Sequence, residues 1–93
     1  MNIPTIIDIE TALRVYYKNS ELGNKEIIEL FGSLSSATVA RLKKRVKEEM
    51  INRSVPAYGL NKVNTTVAFE VWGIDVTDLE MRIKKLNSLG LKQ

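Results

Sequence analysis

The chain has 93 residues, of which 44% are hydrophobic and 27% are charged, and its formal net charge is +3. This composition is typical of a globular protein, so the sequence excludes full-length disorder and predicts a single domain over residues 1–93. Histidine and cysteine are both absent, which excludes imidazole acid–base catalysis, metal ligation by His or Cys, and disulfide bonds.

The first predicted helix covers residues 5–18. Thr5 and Asp8 together form a capping arrangement at its amino end. Apolar side chains recur along it at helical spacing, which predicts one buried face. We assign Tyr16 to the core and Tyr17 to its rim, in preference to a platform on which bases would stack.

A short second helix is predicted over residues 25–31. Asn24 has the side chain of an N-terminal cap, and Gly32 can take the positive φ with which a helix often ends. Because two turns of helix are unstable alone, packing of an apolar face must hold this segment. That face comprises Ile27, Ile28, Leu30 and Phe31.

The third predicted helix, residues 35–51, begins at a cap formed by Ser35 or Ser36 and has two distinct faces. An apolar stripe recurs at steps of three and four residues; it comprises Val39, Leu42, Val46 and Met50. A polar face lies roughly opposite; it comprises Ala37, Arg41, Lys44 and Arg45, with Thr38 at its flank. One face can therefore pack on the core while the other stays exposed.

Positive charge is concentrated on this third helix. Residues 41–53 carry six basic and two acidic side chains, a net charge of +4, whereas residues 1–40 carry a net charge of −2. Such a concentration on one element is typical of nucleic-acid binding. The alternative is an ordinary solvated face with internal ion pairs, for which Glu48 and Glu49 are available.

Residues 24–51, NKEIIELFGSLSSATVARLKKRVKEEMI, resemble the helix-turn-helix superfamily of prokaryotic and phage DNA-binding proteins. The resemblance covers about a third of the chain. The matching positions are Lys25–Ile28 at the start of the first motif helix, Gly32 in the turn, Leu34 after it, and Ser36–Leu42 at the opening of the recognition helix. The chain departs from the family pattern at Ile28, where a small residue is usual, and at Ser33, which makes the turn longer by one residue.

The exposed face and the resemblance together imply a DNA-binding protein, a transcriptional regulator that docks helix 35–51 in the major groove of double-stranded DNA. The residues expected to face the bases are Ser36, Ala37, Thr38, Arg41, Lys44 and Arg45. The residues expected to contact the DNA backbone are Lys25, Lys43 and Lys47. Such regulators bind DNA as dimers, so a second copy of the chain is the other expected partner.

Residues 52–63 contain a proline and a glycine and are predicted to form a connection. Residues 64–74 fit two patterns. Alternating apolar residues suggest a strand at residues 65–72, which would make the fold a winged helix, whereas a helical stripe and a cap at Asn64 predict a short helix over the same residues. We adopt the helix because no hairpin partner follows.

The last predicted helix covers residues 78–89, with a capping box of Thr77 and Glu80 at its start and Gly90 with Leu91 at its end. The predicted fold class is therefore all-α, with about five helices around one core and a helix-turn-helix unit at residues 24–51. The predicted core residues are Ile9, Leu13, Ile27, Phe31, Val39, Leu42, Val46, Trp72, Leu79, Ile83 and Leu86.

The sequence contains no phosphate-binding glycine loop and no dinucleotide fingerprint. Glu48 and Glu49 are adjacent on a helix, so their carboxylates do not face each other. We predict that the protein is not an enzyme and has no cofactor, no metal and no small-molecule ligand. No apolar run approaches the ~18 residues of a membrane span, and the amino end lacks a signal-peptide pattern, so we expect no membrane association and a cytoplasmic location.

A second class of function remains open at this point. The chain can instead be a helical protein–protein interaction module, such as a phage or mobile-element assembly or adaptor protein, that does not bind DNA. It would use the same basic helix against an acidic partner, or seat a helix of a second copy on the apolar stripe of helix 35–51. A DNA titration combined with light scattering separates the two classes.

Overall fold

The computed structural model describes residues 3–90. In chain order, its elements are α1 (Ile9–Lys18), β1 (Glu21–Leu22), α2 (Asn24–Phe31), α3 (Ser36–Asn52), β2 (Val63–Asn64), α4 (Thr65–Val71) and α5 (Val76–Ser88). The prediction of a mostly helical fold is confirmed, and the only addition within the described range is one short pair of strands. In the part of the chain that the structure describes, no helix has the length and apolar character needed to cross a membrane.

Helix α1 begins at Ile9, later than the predicted residue 5, because Asp8 alone is its cap. The Asp8 backbone is extended and its carboxylate accepts a hydrogen bond from the Thr11 backbone N–H at 2.7 Å. The preceding residues run along the surface instead of extending the helix. Their backbone is bonded to α2, since the Ile7 N–H donates to the carbonyl of Leu30 at 3.0 Å.

Replacing Asp8 with alanine should lower the free energy of unfolding by about 1 kcal/mol at neutral pH, because the Thr11 N–H loses its acceptor. This hydrogen bond holds the pKa of the Asp8 carboxyl below its usual range. The stabilisation is therefore complete above the pKa of the unfolded chain and is lost as pH falls through the folded-state pKa. Urea titrations at neutral and strongly acidic pH measure the difference, which should shrink in acid. An Asp8→Asn control should cap without titrating, and a wild-type-to-alanine difference independent of pH would contradict the prediction.

Helix α2 begins at Asn24 itself, so the prediction that Asn24 is its cap is wrong. Gly23 occupies the cap position, and its backbone N–H donates to the Glu26 carboxylate at 2.8 Å. The helix ends at Phe31 as predicted. Gly32 has φ of +91°, a conformation that a side chain would strain, and its N–H donates to the Ile28 carbonyl at 2.7 Å. Glycine is therefore required where α2 stops.

Helix α3 matches its prediction closely. Ser35 is the cap, and its hydroxyl accepts a hydrogen bond from the Thr38 backbone N–H at 3.2 Å. The predicted apolar stripe is buried in the core of the same chain, with no member more than 3% exposed; it comprises Val39, Leu42, Val46 and Met50. The hypothesis that this stripe seats a helix of a second copy is therefore wrong.

Strands β1 and β2 form a short antiparallel pair that the sequence did not predict. Glu21 pairs with Asn64, and Leu22 pairs with Val63. Leu22 and Val63 are both fully buried, so the two strands form part of the core against which α3 packs. A strand of two residues is too short to show a periodic pattern of apolar residues, so the sequence does not indicate either strand. The pairing converts residues 53–62 from an open connection into a closed loop beside α3.

Residues 65–71 are helical, so the alternative of a winged helix with a strand at 65–72 is wrong. Asn64 caps α4 as predicted, because its side-chain oxygen accepts a hydrogen bond from the Val67 N–H at 2.9 Å. Just beyond α4, Trp72 is buried, and its indole Nε1 donates to the Leu42 carbonyl of α3 at 3.3 Å. Helix α4 thereby supports the back of α3.

Helix α5 begins at Val76, and the predicted capping box of Thr77 and Glu80 is not formed. Asp75 is the cap instead, since its carboxylate accepts a hydrogen bond from the Asp78 N–H at 3.1 Å. The Glu80 carboxylate instead accepts a hydrogen bond from the Tyr17 hydroxyl at 2.8 Å, which ties α5 to α1. Gly90 has a positive φ, as a helix stop requires, whereas the predicted contact of Leu91 lies outside the described residues.

The core joins the five helices of the described range to the strand pair. Seven predicted core residues are buried: Ile27, Phe31, Val39, Leu42, Val46, Trp72 and Leu79. Four others are only partly buried: Ile9, Leu13, Ile83 and Leu86. The buried apolar residues outside that predicted list come mainly from the strands and α4: Ala12, Val15, Leu22, Leu30, Met50, Val63, Val67, Ala68 and Phe69. The result is a base on which α3 lies with its polar face outward.

Candidate nucleic-acid interface

Helices α2 and α3 are joined by the four residues Gly32 to Ser35. Ile28, which departs from the family pattern, has 41% of its surface exposed and so lies outside the core beneath the two helices. The buried side of α2 is formed instead by Ile27, Leu30 and Phe31. The bulk of Ile28 therefore does not lie in the core between these helices.

The amino end of α3 carries a chain of polar contacts. The Ser35 and Thr38 hydroxyls are 2.9 Å apart, and the Arg41 guanidinium donates to the Thr38 hydroxyl at 3.3 Å. Arg41 is exposed, so this contact orients its side chain along the helix towards the amino end. The remaining guanidinium donors stay free to meet another molecule.

A groove of about 360 Å³ runs along one flank of α3, and we call it the basic groove. It lies between the start of α2, the α3 surface and the closed loop before β2. Its lining residues are Asn24, Ser36, Val39, Ala40, Lys43, Lys44, Lys47 and Asn61. A neighbouring groove shares Asn24, Lys43 and Asn61 and adds Lys25, Lys62 and the carboxylate of Glu26. Lysines from three separated segments therefore line these two adjoining grooves, and they outnumber this one acidic residue.

Lys44 and Lys47 are the exposed cations of the basic groove. Among residues 3–90, neither forms an ion pair. The ion pairs of α3 lie at its carboxyl end, where Arg53 is paired with Glu49 at 2.6 Å and also with Glu70. The alternative of a solvated face with internal ion pairs thus describes only that end of α3.

Lys43 differs from its two neighbours because it is only 8% exposed. Its ammonium donates to the Asn24 side-chain oxygen at 3.1 Å and so connects α3 to the first residue of α2. Burial lowers the pKa of Lys43, and the nearby charge of Lys47 lowers it further. The predicted contact of Lys43 with the DNA backbone stays a prediction, and its low exposure and its hydrogen bond to Asn24 make it less available to a phosphate than Lys44 or Lys47.

The predicted base-facing residues divide between two sides of α3. Ser36, Ala37, Arg41 and Lys44 are exposed on the side of the basic groove or at the outermost line of the helix. Thr38 and Arg45 lie towards the opposite flank, where Arg45 shares a groove with Glu48, Glu49 and Glu70. That groove also contains Arg53, so it carries three carboxylates against two guanidinium groups and is less favourable for a phosphate than the basic groove.

Some groove residues were missed by the sequence-based prediction. They are Asn24, Ala40, Asn61 and Lys62. The position of Ala40 in the groove can be predicted from the sequence, because Ala40 is one helical turn from Ser36, Lys43 and Lys44. Asn61 and Lys62 carried no local signal, since they reach α3 only through the pairing of β1 with β2.

In the range 3–90, no group of three or more acidic side chains is close enough together to hold a metal ion. Comparison with known proteins found no family model, no curated protein and no solved structure that matches this chain. The arrangement of charge on α3 therefore carries the functional argument alone.

Proposed function

We propose that the protein binds double-stranded DNA, with α2 and α3 acting as a helix-turn-helix unit of a cytoplasmic transcriptional regulator. The observation that carries this proposal is the basic groove, where the exposed side chains of Lys44 and Lys47 lie beside small residues at the start of α3. A helix with a buried apolar face and a cationic outer face fits the major groove in charge and in shape.

The roles of the side chains follow from their lengths and positions on α3. Ser36 and Ala37 are small, so the amino end of the helix can approach base edges closely. Arg41 can turn from Thr38 and donate two parallel hydrogen bonds to the O6 and N7 acceptors of guanine. Lys44 and Lys47 extend to phosphates, which fixes the register of the helix on the duplex.

Two further predicted residues have weaker or more distant roles in this proposal. Lys25 is exposed in the first turn of α2, where it can add a phosphate contact beside the helix amino end. Arg45 lies on the flank that carries carboxylates, so we expect it to contribute less to DNA affinity than Lys44.

Fluorescence anisotropy with a labelled duplex of mixed sequence at low salt tests the proposal directly. Binding with a dissociation constant below about 10 µM is expected, together with a steep loss of affinity as salt is added. A duplex with no measurable affinity near that concentration would contradict the proposal. A single-stranded oligonucleotide of the same sequence is the control, and it should bind more weakly because it lacks a major groove.

Lys43 and Lys47 provide a matched pair of substitutions, since both are lysines of α3 and only one is exposed. Lys47→Met should lower the salt slope of DNA binding by about one, whereas Lys43→Met should leave that slope unchanged. The physical reason is that the Lys43 ammonium already donates to Asn24. Anisotropy titrations over a series of salt concentrations measure both slopes. Equal reductions by the two variants would show that Lys43 also contacts phosphate.

The alternative of a protein–protein interaction module is favoured by one observation. Met81 and Leu89 on and after α5 are each more than 60% exposed, so part of the molecular surface is apolar. Light scattering performed with the DNA titration separates the two functions. A stable oligomer without DNA affinity would support the interaction module, whereas a dimer that binds DNA would agree with the half-site geometry of helix-turn-helix regulators.

A further inference from the structure

The loop between α3 and β2 carries the two most exposed large apolar side chains of the described residues. Tyr58 is 86% exposed and Leu60 is 91% exposed. Single exposed apolar residues are common, but two within three positions on a loop beside a cationic surface are informative. We call residues 57–62 the clamped loop.

The backbone of the clamped loop is held in one conformation by a carboxylate from β1. Glu21 accepts hydrogen bonds from the Tyr58 N–H at 2.7 Å and from the Gly59 N–H at 2.8 Å. The Lys62 N–H donates to the Gly59 carbonyl at 3.2 Å, which closes a turn inside the loop. Charge-assisted hydrogen bonds to a carboxylate are among the stronger ones, so Tyr58 and Leu60 project from an organised backbone.

Gly59 lies beside the Glu21 carboxylate that holds the loop. A Cβ at this position would be 2.7 Å from the Lys62 Cδ and 3.0 Å from the Glu21 Oε1. Both distances are shorter than normal contacts, so the Lys62 and Glu21 side chains would have to shift to make room for a Cβ. Glycine at residue 59 therefore eases the close approach of the polypeptide to the Glu21 carboxylate.

The clamped loop forms one wall of the cationic surface already described. Asn61 lines the basic groove together with Lys44 and Lys47, and Lys62 lines the neighbouring groove together with Lys25. A third groove of about 240 Å³ separates the loop from the last turns of α3. A DNA duplex bound along α3 would therefore contact the loop at the edge of the surface that the duplex covers.

We infer that the clamped loop is a second DNA-contacting element, which grips the duplex beside the segment read by α3. Lys62 and Asn61 contact phosphate oxygens, and Tyr58 and Leu60 rest against deoxyribose or the edge of the minor groove. Apolar side chains flanked by cations are the composition with which proteins contact that groove. The inference rests on the proposed function and adds a site that lies outside the helix-turn-helix unit.

Two sets of variants separate the cationic and apolar contributions of the loop. Lys62→Gln should lower the salt slope of duplex binding by about one. The double variant Tyr58→Ala with Leu60→Ala should weaken binding by about tenfold and leave the salt slope unchanged, because it removes no charge. Matched controls are Lys84→Gln and Met81→Ala on α5, whose main packing partner is α1. Both controls should bind like the wild-type chain.

A third variant tests whether the hydrogen bonds between Glu21 and the loop contribute to DNA affinity. Glu21→Ala removes the acceptor of both loop N–H groups, so affinity should fall and the Tyr58 and Gly59 amides should exchange faster with solvent. Circular dichroism and urea titration identify any loss of fold, and the two loop-surface variants remain valid if Glu21→Ala unfolds. Retention of full affinity by a loop whose amides exchange faster would contradict the role of the clamp.

The outcomes distinguish failure of the inference from failure of the proposed function. If the wild-type chain binds DNA and the loop variants bind equally well, the inference is overturned and the proposed function stands. If the wild-type chain binds no duplex, both are overturned. If the apolar double variant changes self-association by light scattering and not DNA affinity, the loop is a protein contact and the inference is wrong.

Discussion

Replacing Lys44 and Lys47 together with glutamine is expected to weaken binding to every duplex and to lower the salt slope by about two. Each lysine that contacts a phosphate releases about one counterion from DNA, so the loss of two contacts reduces the dependence of affinity on salt accordingly. At about 0.1 M salt this change corresponds to about a hundredfold loss of affinity. The effect should be uniform across sequences because phosphates are common to all of them.

The control for this double variant is available on another helix. Lys84 and Lys85 are adjacent, exposed lysines of α5, and replacing both with glutamine removes the same amount of charge. That variant should retain both the affinity and the salt slope, because α5 packs on α1, away from the basic groove. Equal losses in the two double variants would show that binding depends on net charge alone and would contradict a specific role for α3.

Replacing Trp72 with alanine is expected to lower the free energy of unfolding by about 3–5 kcal/mol, the usual range for a large buried aromatic residue. Trp72 is only 4% exposed. Its ring lies 5.4 Å from the ring of Phe31 in α2, and its indole N–H donates to the Leu42 carbonyl in α3. One side chain thus joins α4 to both helices of the candidate DNA-binding unit.

Urea denaturation followed by circular dichroism measures this loss. Small domains are stable by about 5–15 kcal/mol, so Trp72→Ala should remove a large share of the stability and lower the urea midpoint clearly. Trp72→Phe is the informative control, because it keeps most of the ring packing and loses only the indole N–H and part of the volume. A loss below about 1 kcal/mol for Trp72→Ala would show that the α4 contact is not essential for the fold.

Elements whose signals are local were predicted well from the sequence. The cap at Ser35 and the stop at Gly32 depend on one or two residues and their nearest backbone groups. The length of α3 follows from an apolar stripe repeated over several turns, which is a strong periodic signal. The helical state of residues 65–71 was predicted because no hairpin partner follows, and the cap at Asn64 agreed with it, although the apolar pattern also fitted a strand.

Other features depend on contacts between distant segments and were not predictable in this way. Asp8 and Thr5 both suit a cap, and the backbone bond from Ile7 to Leu30 favours the later start of α1. The strands and the clamped loop exist only because residues 21–22 meet residues 63–64. A local stretch of sequence cannot reveal this pairing, because the two paired segments are far apart in the chain.

The candidate site likewise contains some residues whose positions local sequence predicts and others whose positions depend on distant contacts. The exposed positions of Arg41 and Lys44 followed from the helical wheel. The burial of Lys43 does have a signal in the sequence, because Lys43 lies four residues after Val39 and three before Val46, on the buried side of the helix. Its charge indicates the opposite placement, and the Asn24 partner that makes burial acceptable belongs to a different helix.

The pairing of β1 with β2 has a consequence for the order in which the molecule is assembled. The contacts within α3 and between α2 and α3 are close in the chain, whereas the strand pair must close the long segment between residues 22 and 63. Loop closure is entropically unfavourable and grows with length, so non-local contacts of this kind form late in folding. The helices that present Arg41 and Lys44 can therefore form before the wall that contains Asn61 and Lys62 is in place. Partial opening of the strand pair would then remove one side of the candidate interface while the helix content remains nearly unchanged.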